Sequence, residues 1–314
     1  MCDGCRMQQS ELISPTGARL NLYSARPAQA TKACVHITHG LAEHAARYAW
    51  FAEVLTQHGF AVYAHDLRGH GHTTSDDAPL GLFASTGGLD KVMADHDCVL
   101  DHIGQEHPDM PIVCFGHSLG SILVLNYAIR HPNKLAGIAC WNSGLETGFL
   151  PRLGKLILAT ENLFRASTKT SLFAWQLTFG AWSAQIKPNR TGFDWLSNDT
   201  AQVDAYVADP LCGFNVSAQM WQDVIDAVFY ASKPEHMLRL PKALPIFLLG
   251  GTQDPCTNFG KDMQNLERKL TALQCQNVRC DILENTRHES LNEINRAATG
   301  HLFLEWLQKS LRHS

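Results

Sequence analysis

The chain has 314 residues, which is enough for two ordinary domains or one elaborated α/β domain. Apolar residues make up 45% of it and charged residues 18%, so the chain can bury a large core and lacks the composition of a disordered protein. Lysine and arginine number 26 against 30 aspartates and glutamates, and the 16 histidines form no basic block. This balance argues against nucleic acid as a partner.

The ten cysteines are too sparse for a disulfide scaffold, so we expect reduced thiols and a cytoplasmic protein. The first residues lack the apolar segment of a signal peptide. Cys2 and Cys5 have the spacing of half a zinc site or of a redox pair, but no second Cys-x-x-Cys follows, which favours a frayed tail. Residues 111–129 are uncharged, yet glycines and polar residues interrupt them, which indicates a buried strand, a turn and a buried helix rather than a membrane span.

Short β-branched or aromatic runs alternate with helical patterns over residues 33–143 and again after residue 245. This rhythm predicts a mostly parallel, doubly wound sheet whose nearly continuous apolar strands are buried on both faces. The predicted strands are 34–38, 60–64, 112–115, 135–140, 246–249 and 278–283, and the main predicted helices are 89–107, 259–273 and a last one carrying Trp306. Residues 11–25 predict a hairpin that adds antiparallel edge strands.

The rhythm is interrupted over residues 144–234, which we interpret as a helical cap inserted into a core domain made of residues 1–143 and 235–314. The insertion is rich in aromatic and apolar residues and is closed by a proline cluster. We expect most of these side chains to form the small core of the cap and the rest to line an apolar ligand pocket. They are Phe164, Phe173, Trp175, Leu177, Phe179, Trp182 and Trp195.

A nucleophile motif, Gly116-His117-Ser118-Leu119-Gly120, follows a predicted strand and precedes a predicted helix. Gly-x-Ser-x-Gly in that position is typical of a tight turn that exposes the serine hydroxyl at the carboxyl end of the sheet. The two glycines are needed because side chains there would meet the neighbouring strand and helix. We therefore predict Ser118 as a nucleophile.

A serine nucleophile needs a histidine base, and that histidine needs a carboxylate. In doubly wound sheets that carry this serine motif, the acid follows a late strand and the histidine follows the last one. Asp254 follows the strand predicted at 246–249, and His288 follows the one at 278–283. Asp262 and Asp281 fall inside a predicted helix and strand, and Glu289 adjoins His288, so these three are weaker candidates for the acid.

The oxyanion formed in acyl transfer needs two preorganised donors, usually backbone N–H groups. Leu119 offers one at the start of the helix after Ser118. The loop that begins with His39-Gly40 should offer the other, and we assign it to Leu41 because Gly40 lets the backbone turn inward.

Together these residues resemble the monoacylglycerol lipase and lysophospholipase branch of the α/β hydrolases, which includes the serine aminopeptidase S33-like proteins. The motifs are His39-Gly40-x-x-Glu43-His44-x-x-Arg47-Tyr48, Asp66-x-Arg68-Gly69-His70-Gly71, the serine motif, the Asp254 loop and Arg287-His288-Glu289-x-x-Asn292-Glu293. The resemblance covers roughly residues 35–307 and implies a cofactor-free serine hydrolase with a lid over an acyl-chain pocket. Ser121 and Thr73 depart from the glycine and serine usual at those positions.

Metal binding is disfavoured, because His70 and His72 already belong to the family pattern and no Asp-His pair follows them. The sequence thus predicts an ester hydrolase without cofactor, acting on a monoacylglycerol- or lysophospholipid-like ester, with the cap in transient contact with membranes. Alternatives are a short-chain carboxylesterase or thioesterase, a proline-iminopeptidase-like aminopeptidase using Glu146 or Glu161 to bind an amine, and a non-catalytic ligand-sensing protein.

Overall fold

A computed structural model describes residues 7–145 and 169–312 of the chain. In these ranges eight strands form one sheet in the order β1-β2-β4-β3-β5-β6-β7-β8. β1 and β2 form an antiparallel hairpin, β2 pairs antiparallel with β4, and all other pairs are parallel. The strands are β1 (Gln8–Ile13), β2 (Arg19–Ala25), β3 (Ala33–Thr38), β4 (Phe60–His65), β5 (Ile112–His117), β6 (Gly137–Trp141), β7 (Ile246–Gly251) and β8 (Val278–Leu283). The predicted doubly wound sheet and its amino-terminal hairpin are confirmed.

Helices cover both faces of the sheet. α1 (Ala49–Gln57) and the last helix, α10 (Arg296–Ser310), pack on one face around the side chains of Phe51 and Phe303. α2 (Gly88–Glu106), α3 (Leu119–Arg130) and α9 (Lys261–Ala272) pack on the other. Because β3 to β7 are buried between these layers, their sequences are apolar on both sides of the pleat.

The strand order reverses at β3. The chain leaves β3 for β4 on one side and returns to β5 on the other, so the loops after β3 and β5 flank a crevice at the carboxyl ends of the strands. Ligands of open α/β sheets bind at such a crevice. The Gly40 loop and Ser118 follow these two strands.

Two predicted elements differ in detail from the structure. Residues 278–283 alternate between apolar and charged side chains over their first four positions, which predicts alternating burial, but β8 is half-buried at all six positions because it is an edge strand with a partner on one side only. α9 begins at Lys261 rather than near Phe259, because Asn258, Phe259 and Gly260 all have positive φ angles that a right-handed helix excludes.

Between β6 and β7 the described chain is helical. It contains α4 (Leu172–Trp175), a π-turn (Gln176–Gly180), α5 (Ala181–Ala184), α6 (Thr200–Ala208), α7 (Ala218–Ser232) and α8 (Pro234–Met237). α7 packs on α3, where the Asn126 amide donates to the Ala227 carbonyl at 2.9 Å. The boundaries of a cap at 144–234 stay a prediction, and Glu146, Glu161, Phe164, Cys2 and Cys5 lie outside the described residues.

Residues 111–129 form strand β5, a turn and helix α3, as predicted. In the described parts of the chain, no helix combines the length and the apolar character that crossing a bilayer requires.

Candidate active site

Ser118 lies in the sharp turn between β5 and α3, with φ 54° and ψ −117°. A positive φ is rare for a residue with a side chain and marks a locally strained backbone. The Ser118 N–H donates to the Trp141 carbonyl of the neighbouring strand at 2.9 Å, which holds the turn in place. The hydroxyl is thereby presented at the carboxyl end of β5.

The two glycines of the motif are sterically required. A Cβ on Gly116 would lie 2.3 Å from the Gly120 carbonyl oxygen, and a Cβ on Gly120 would lie 2.0 Å from that of Thr38. Both distances are far inside van der Waals contact with backbone atoms, which cannot move aside. The close packing of α3 on β3 and β5 therefore depends on the missing side chains.

His288 connects Ser118 to Asp254. Its Nε2 lies 3.0 Å from the Ser118 hydroxyl oxygen, and its Nδ1 lies 3.1 Å from each carboxylate oxygen of Asp254. With the proton on Nδ1, the ring donates to Asp254 and accepts from the serine, which is the arrangement that a general base needs. The structure thus brings together the three side chains that the sequence predicts as nucleophile, base and acid.

Asp254 is fully buried and heavily hydrogen-bonded. Burial alone would raise the pKa of this carboxyl, but the charge and hydrogen bond of His288, with hydrogen bonds from Asn142 and Thr257, hold the pKa below its ordinary value. The Cys256 N–H also donates to it at 2.9 Å. Asp254 is consequently ionised throughout the neutral range and faces His288 as a carboxylate.

The two predicted oxyanion donors lie on either side of Ser118. Leu41 and Leu119 line the same cavity as the serine. Neither backbone N–H donates to a protein acceptor among residues 7–145 and 169–312. Gly40 brings the β3 loop close to the nucleophile, since a Cβ on this glycine would lie 3.3 Å from Ser118 Cβ.

A buried charge network holds the Gly40 loop. Glu43 accepts from the Gly40 N–H at 2.6 Å, the Tyr48 hydroxyl at 2.9 Å and Arg47 at 2.6 Å. Burial opposes ionisation of Glu43, yet Arg47 and His117 hold its pKa well below the ordinary value. Glu289 accepts two further hydrogen bonds from Arg47 at 2.6 and 2.7 Å. The carboxylate of this weaker candidate for the acid is therefore paired with Arg47.

His117 joins this network to the loop that carries His288. Its Nδ1 faces Glu43 at 3.2 Å, and its Nε2 faces the His288 carbonyl oxygen at 3.0 Å. Burial lowers the pKa of His117, but the hydrogen bond and charge of Glu43 outweigh it and the net shift is upward. A doubly protonated ring satisfies both acceptors, so His117 links the loops that follow β3 and β8.

A cavity of about 290 Å³ opens from Ser118 and His288 under the helices between β6 and β7. Phe179, Trp182 and Trp195 line it, whereas Phe173 and Leu177 are exposed. Further along, its wall is formed by apolar side chains of α3 and α7, namely Ile122, Trp221, Val224 and Val228. The described chain between β6 and β7 therefore lines the pocket with part of its aromatic side chains.

Three residues that support the site were not predicted from the sequence. Asn142 supports Asp254, and Tyr206 donates its hydroxyl to the Ala42 carbonyl at 2.8 Å, which ties α6 to the Gly40 loop. His117 sits in the serine motif, but its role depends on contacts with Glu43 and His288 that are distant in sequence. The position of His117 inside a catalytic motif was the one available signal.

The other candidates have structural partners. Asp281 pairs with Arg279 on β8 at 2.6 Å, and Asp262 lies in the first turn of α9 and lines the cavity. His70 is buried against Phe83 and Phe214 with its Nδ1 3.2 Å from the Arg68 carbonyl oxygen, while His72 is exposed. The two departures from the family pattern are also accounted for, because Ser121 donates to the Gly116 and Trp141 carbonyls and Thr73 to the Asp66 carbonyl.

Fold and site define an α/β hydrolase. The chain belongs to the family described as serine aminopeptidase, S33, whose profile matches residues 29–295. This confirms the family expected from the motifs.

Several known proteins of similar sequence or structure are esterases and lipases. The mouse monoglyceride lipase is 29% identical over 248 residues, which cover 77% of this chain and 72% of the mouse protein. A carboxyl esterase from Bacillus coagulans, solved in complex with glycerol, superposes with a TM-score of 0.88 at 22% identity over 98% of this chain and 99% of that one. A monoacylglycerol lipase from Paleococcus ferrophilus superposes with a TM-score of 0.67 at 24% identity over 93% and 99% of the two chains. The protein is accordingly a carboxylic ester hydrolase.

Proposed function

We propose that the protein hydrolyses acyl esters through an acyl-enzyme on Ser118. The observation that carries this proposal is the continuous hydrogen-bonded line from Ser118 through His288 to the buried Asp254. A serine hydroxyl becomes a competent nucleophile at neutral pH when a positioned imidazole takes its proton.

In the proposed mechanism Ser118 attacks the ester carbonyl while His288 accepts the hydroxyl proton at Nε2. The Leu41 and Leu119 N–H groups stabilise the negative charge that develops on the carbonyl oxygen, each by roughly 3 kcal/mol. His288 then donates the proton to the leaving alcohol. Water attacks the acyl-enzyme with His288 again as base, and the carboxylic acid leaves. The proposed steps use side chains, two backbone N–H groups and water, and need no cofactor.

We further propose a monoacylglycerol-type lipid as the substrate, held under a cap formed by residues 144–234. The wall of the cavity that leads away from Ser118 is aliphatic and aromatic, which suits an acyl chain. The described residues that line it include Glu43, Glu289 and Asp262 but neither lysine nor arginine. A neutral glycerol head therefore fits this lining better than the phosphate of a lysophospholipid. The name of the mouse relative supports the same choice.

Turnover by the wild type and by Ser118→Ala tests the proposal. The substrates are p-nitrophenyl esters from acetate to palmitate, a monoacylglycerol and a lysophosphatidylcholine. We expect Ser118→Ala to lose at least a thousandfold in kcat, and Ser232→Ala, at the end of α7, to retain activity. We also expect the monoacylglycerol to be preferred. Activity that survives in Ser118→Ala would exclude the mechanism, and a preference for acetate or for the lysolipid would exclude the substrate.

The family description makes aminopeptidase activity the second candidate. Binding a free amine needs an acidic group at the pocket, and of the three described acidic residues that line it Glu43 and Glu289 are both paired with Arg47. Among these, an amine would therefore have to be bound by Asp262. An amino-acid arylamide added to the substrate panel separates the two activities. Hydrolysis of the arylamide at a rate comparable to that of the esters would favour the peptidase.

A further inference from the structure

A cluster of side chains that can bind a metal ion lies outside the proposed catalytic residues. His44, from the loop after β3, meets Asp209 and Cys212, which follow α6. One ligand atom from each lies within 4.8 Å of the other two, and His44 Nε2 is 2.8 Å from Asp209 Oδ2. We refer to these three residues as the His44 cluster.

One ring nitrogen in the His44 cluster has no hydrogen-bond partner among the described residues. His44 is 8% exposed, and its Nδ1 is buried without a hydrogen bond to any described residue. Cys212 is buried as a free thiol. Leaving a buried polar atom without a partner is costly, so Nδ1 has a hydrogen-bonding or ligating capacity that the described residues do not use, while Nε2 is the ring nitrogen that faces Asp209.

The surroundings of the cluster favour a cation. Arg47 is the nearby positive charge, but two carboxylates, Glu43 and Glu289, already neutralise it. Asp209 adds a further negative charge at the cluster itself, and its other oxygen, Oδ1, accepts from the Leu211 N–H at 2.8 Å. Metal-ligating carboxylates are commonly oriented by such an outer hydrogen bond.

From this geometry we infer that His44, Asp209 and Cys212 form a binding site for a borderline-soft divalent cation of the Zn²⁺ class. Imidazole nitrogen, thiolate sulfur and carboxylate oxygen are the three protein donors that Zn²⁺ takes, and three of them leave a fourth position for water. Atoms 4.8 Å apart would have a centre about 2.8 Å from each, so reaching roughly 2.0–2.3 Å requires movements of under about 1 Å. The Cys212 thiol releases its proton to solvent when the ion binds.

The site also has an access route and a structural consequence. The Asp209 side chain is 31% exposed, which gives solvent a path to the cluster. Next to the cluster, the Gly213 N–H and the Tyr206 hydroxyl both donate to the Ala42 carbonyl, at 2.9 and 2.8 Å. A bound ion would add a third connection between the segment after α6 and the loop that carries Leu41.

Cobalt substitution tests the site without reference to catalysis. The wild type is titrated with Co²⁺, and the near-ultraviolet thiolate-to-cobalt charge-transfer band and the visible d–d bands are recorded, followed by displacement with Zn²⁺. We expect one ion per chain and a rise in Tm with Zn²⁺, because an ion that binds the folded state stabilises it. Cys212→Ser should lose the charge-transfer band and bind Zn²⁺ at least tenfold more weakly.

Cys275→Ser is the matched control, since Cys275 is also a buried free thiol but lies outside the cluster. It should bind as the wild type does. Asp209→Asn, which keeps the side-chain shape, should weaken binding even if Cys212→Ser folds poorly. Ser118→Ala should bind normally whether or not the proposed hydrolysis is correct. A wild type without the charge-transfer band, or binding that Cys212→Ser and Asp209→Asn leave unchanged, would overturn the inference.

Discussion

The charge of Asp254, and not only its shape, is expected to support His288. The carboxylate is fully buried and faces Nδ1 at 3.1 Å through both oxygens. In the proposed mechanism it therefore fixes the ring tautomer and stabilises the imidazolium formed during attack. A neutral amide in its place allows the wrong tautomer.

We therefore expect Asp254→Asn to lower kcat by about three to four orders of magnitude. Steady-state hydrolysis of a p-nitrophenyl ester measures the loss. Asp281→Asn is the control, because Asp281 pairs with Arg279 on the edge strand and should leave kcat unchanged. A decrease of less than tenfold in Asp254→Asn would mean that Asp254 is not the orienting acid.

The three residues that the structure brings together could be predicted from sequence where chemistry constrains the spacing. Ser118, Asp254 and His288 each follow a strand that could be recognised by its apolar run. Asn142 and Tyr206 could not be found in this way, because their contacts with Asp254 and Ala42 join positions more than 100 residues apart. An isolated asparagine or tyrosine has no local pattern that marks such a contact.

At the level of elements, the start of α3 depends on close backbone packing. Gly120→Ala would place a methyl group 2.0 Å from the Thr38 carbonyl oxygen and push α3 away from β3. Gly104 lies in the interior of α2, and a Cβ there meets no atom within 4 Å.

The two substitutions should act in opposite directions. Gly104→Ala is expected to raise the unfolding free energy by about 0.5–1 kcal/mol, because alanine has the higher helix propensity. Gly120→Ala should lower it by more than about 2 kcal/mol. Urea unfolding measures both, and equal effects of the two substitutions would contradict the packing described for α3.

α7 contributes apolar side chains to the wall of the cavity. Val224 and Val228 lie one turn apart on this helix and both face the cavity. A larger side chain there should shorten the acyl chain that fits, at a cost of about 0.8 kcal/mol for each methylene group kept out of the pocket.

Val228→Phe is therefore expected to move the optimum of the p-nitrophenyl ester series towards shorter chains, with kcat for the butyrate little changed. Val207→Phe, at an exposed position of α6, is the matched control and should leave the profile as in the wild type. A profile that Val228→Phe leaves unmoved would place the acyl chain elsewhere.

The elements that the sequence predicted well are those with a strong period. β3 to β7 are apolar because they are buried on both faces, and the hairpin is marked by its turn residues. The boundary of α9 was harder to predict, since it is set by three consecutive residues with positive φ. Asn258 and Gly260 are residue types that favour this conformation, but Phe259 is not. The helices between β6 and β7 have mixed burial, and composition alone did not fix their limits.

For the molecule as a whole, buried neutral histidines should make stability depend on pH. His36, His65, His70 and His96 are buried, and loss of hydration lowers their pKa values, to about 3 for His70 and His96. In the unfolded chain these rings titrate near 6.5. As the pH falls below 6.5, the unfolded state binds protons that the folded state does not, so the folded state loses stability.

Each such histidine should lower the unfolding free energy by about 1.4 kcal/mol per pH unit below 6.5. Asp223 acts in the opposite direction. Burial raises its pKa to about 7, so as the pH falls the folded state binds this proton before the unfolded state does, which offsets the loss from one histidine. Urea unfolding between pH 7 and 4.5 measures the net slope.

His96→Leu should reduce that slope by about one histidine's share, and His301→Gln, at an exposed position on α10, should not change it. An unfolding free energy that is constant over this range would contradict the neutral state of the buried rings.

The central claim is that the reaction passes through an ester of Ser118. The most direct measurement is to mix the protein with a medium-chain p-nitrophenyl ester, quench in acid within the first turnover, and determine the intact mass followed by peptide mapping. We predict an added acyl group on the peptide that contains Ser118, absent in Ser118→Ala and longer-lived in Asp254→Asn. An acyl group on another residue, or full turnover by Ser118→Ala, would contradict the account.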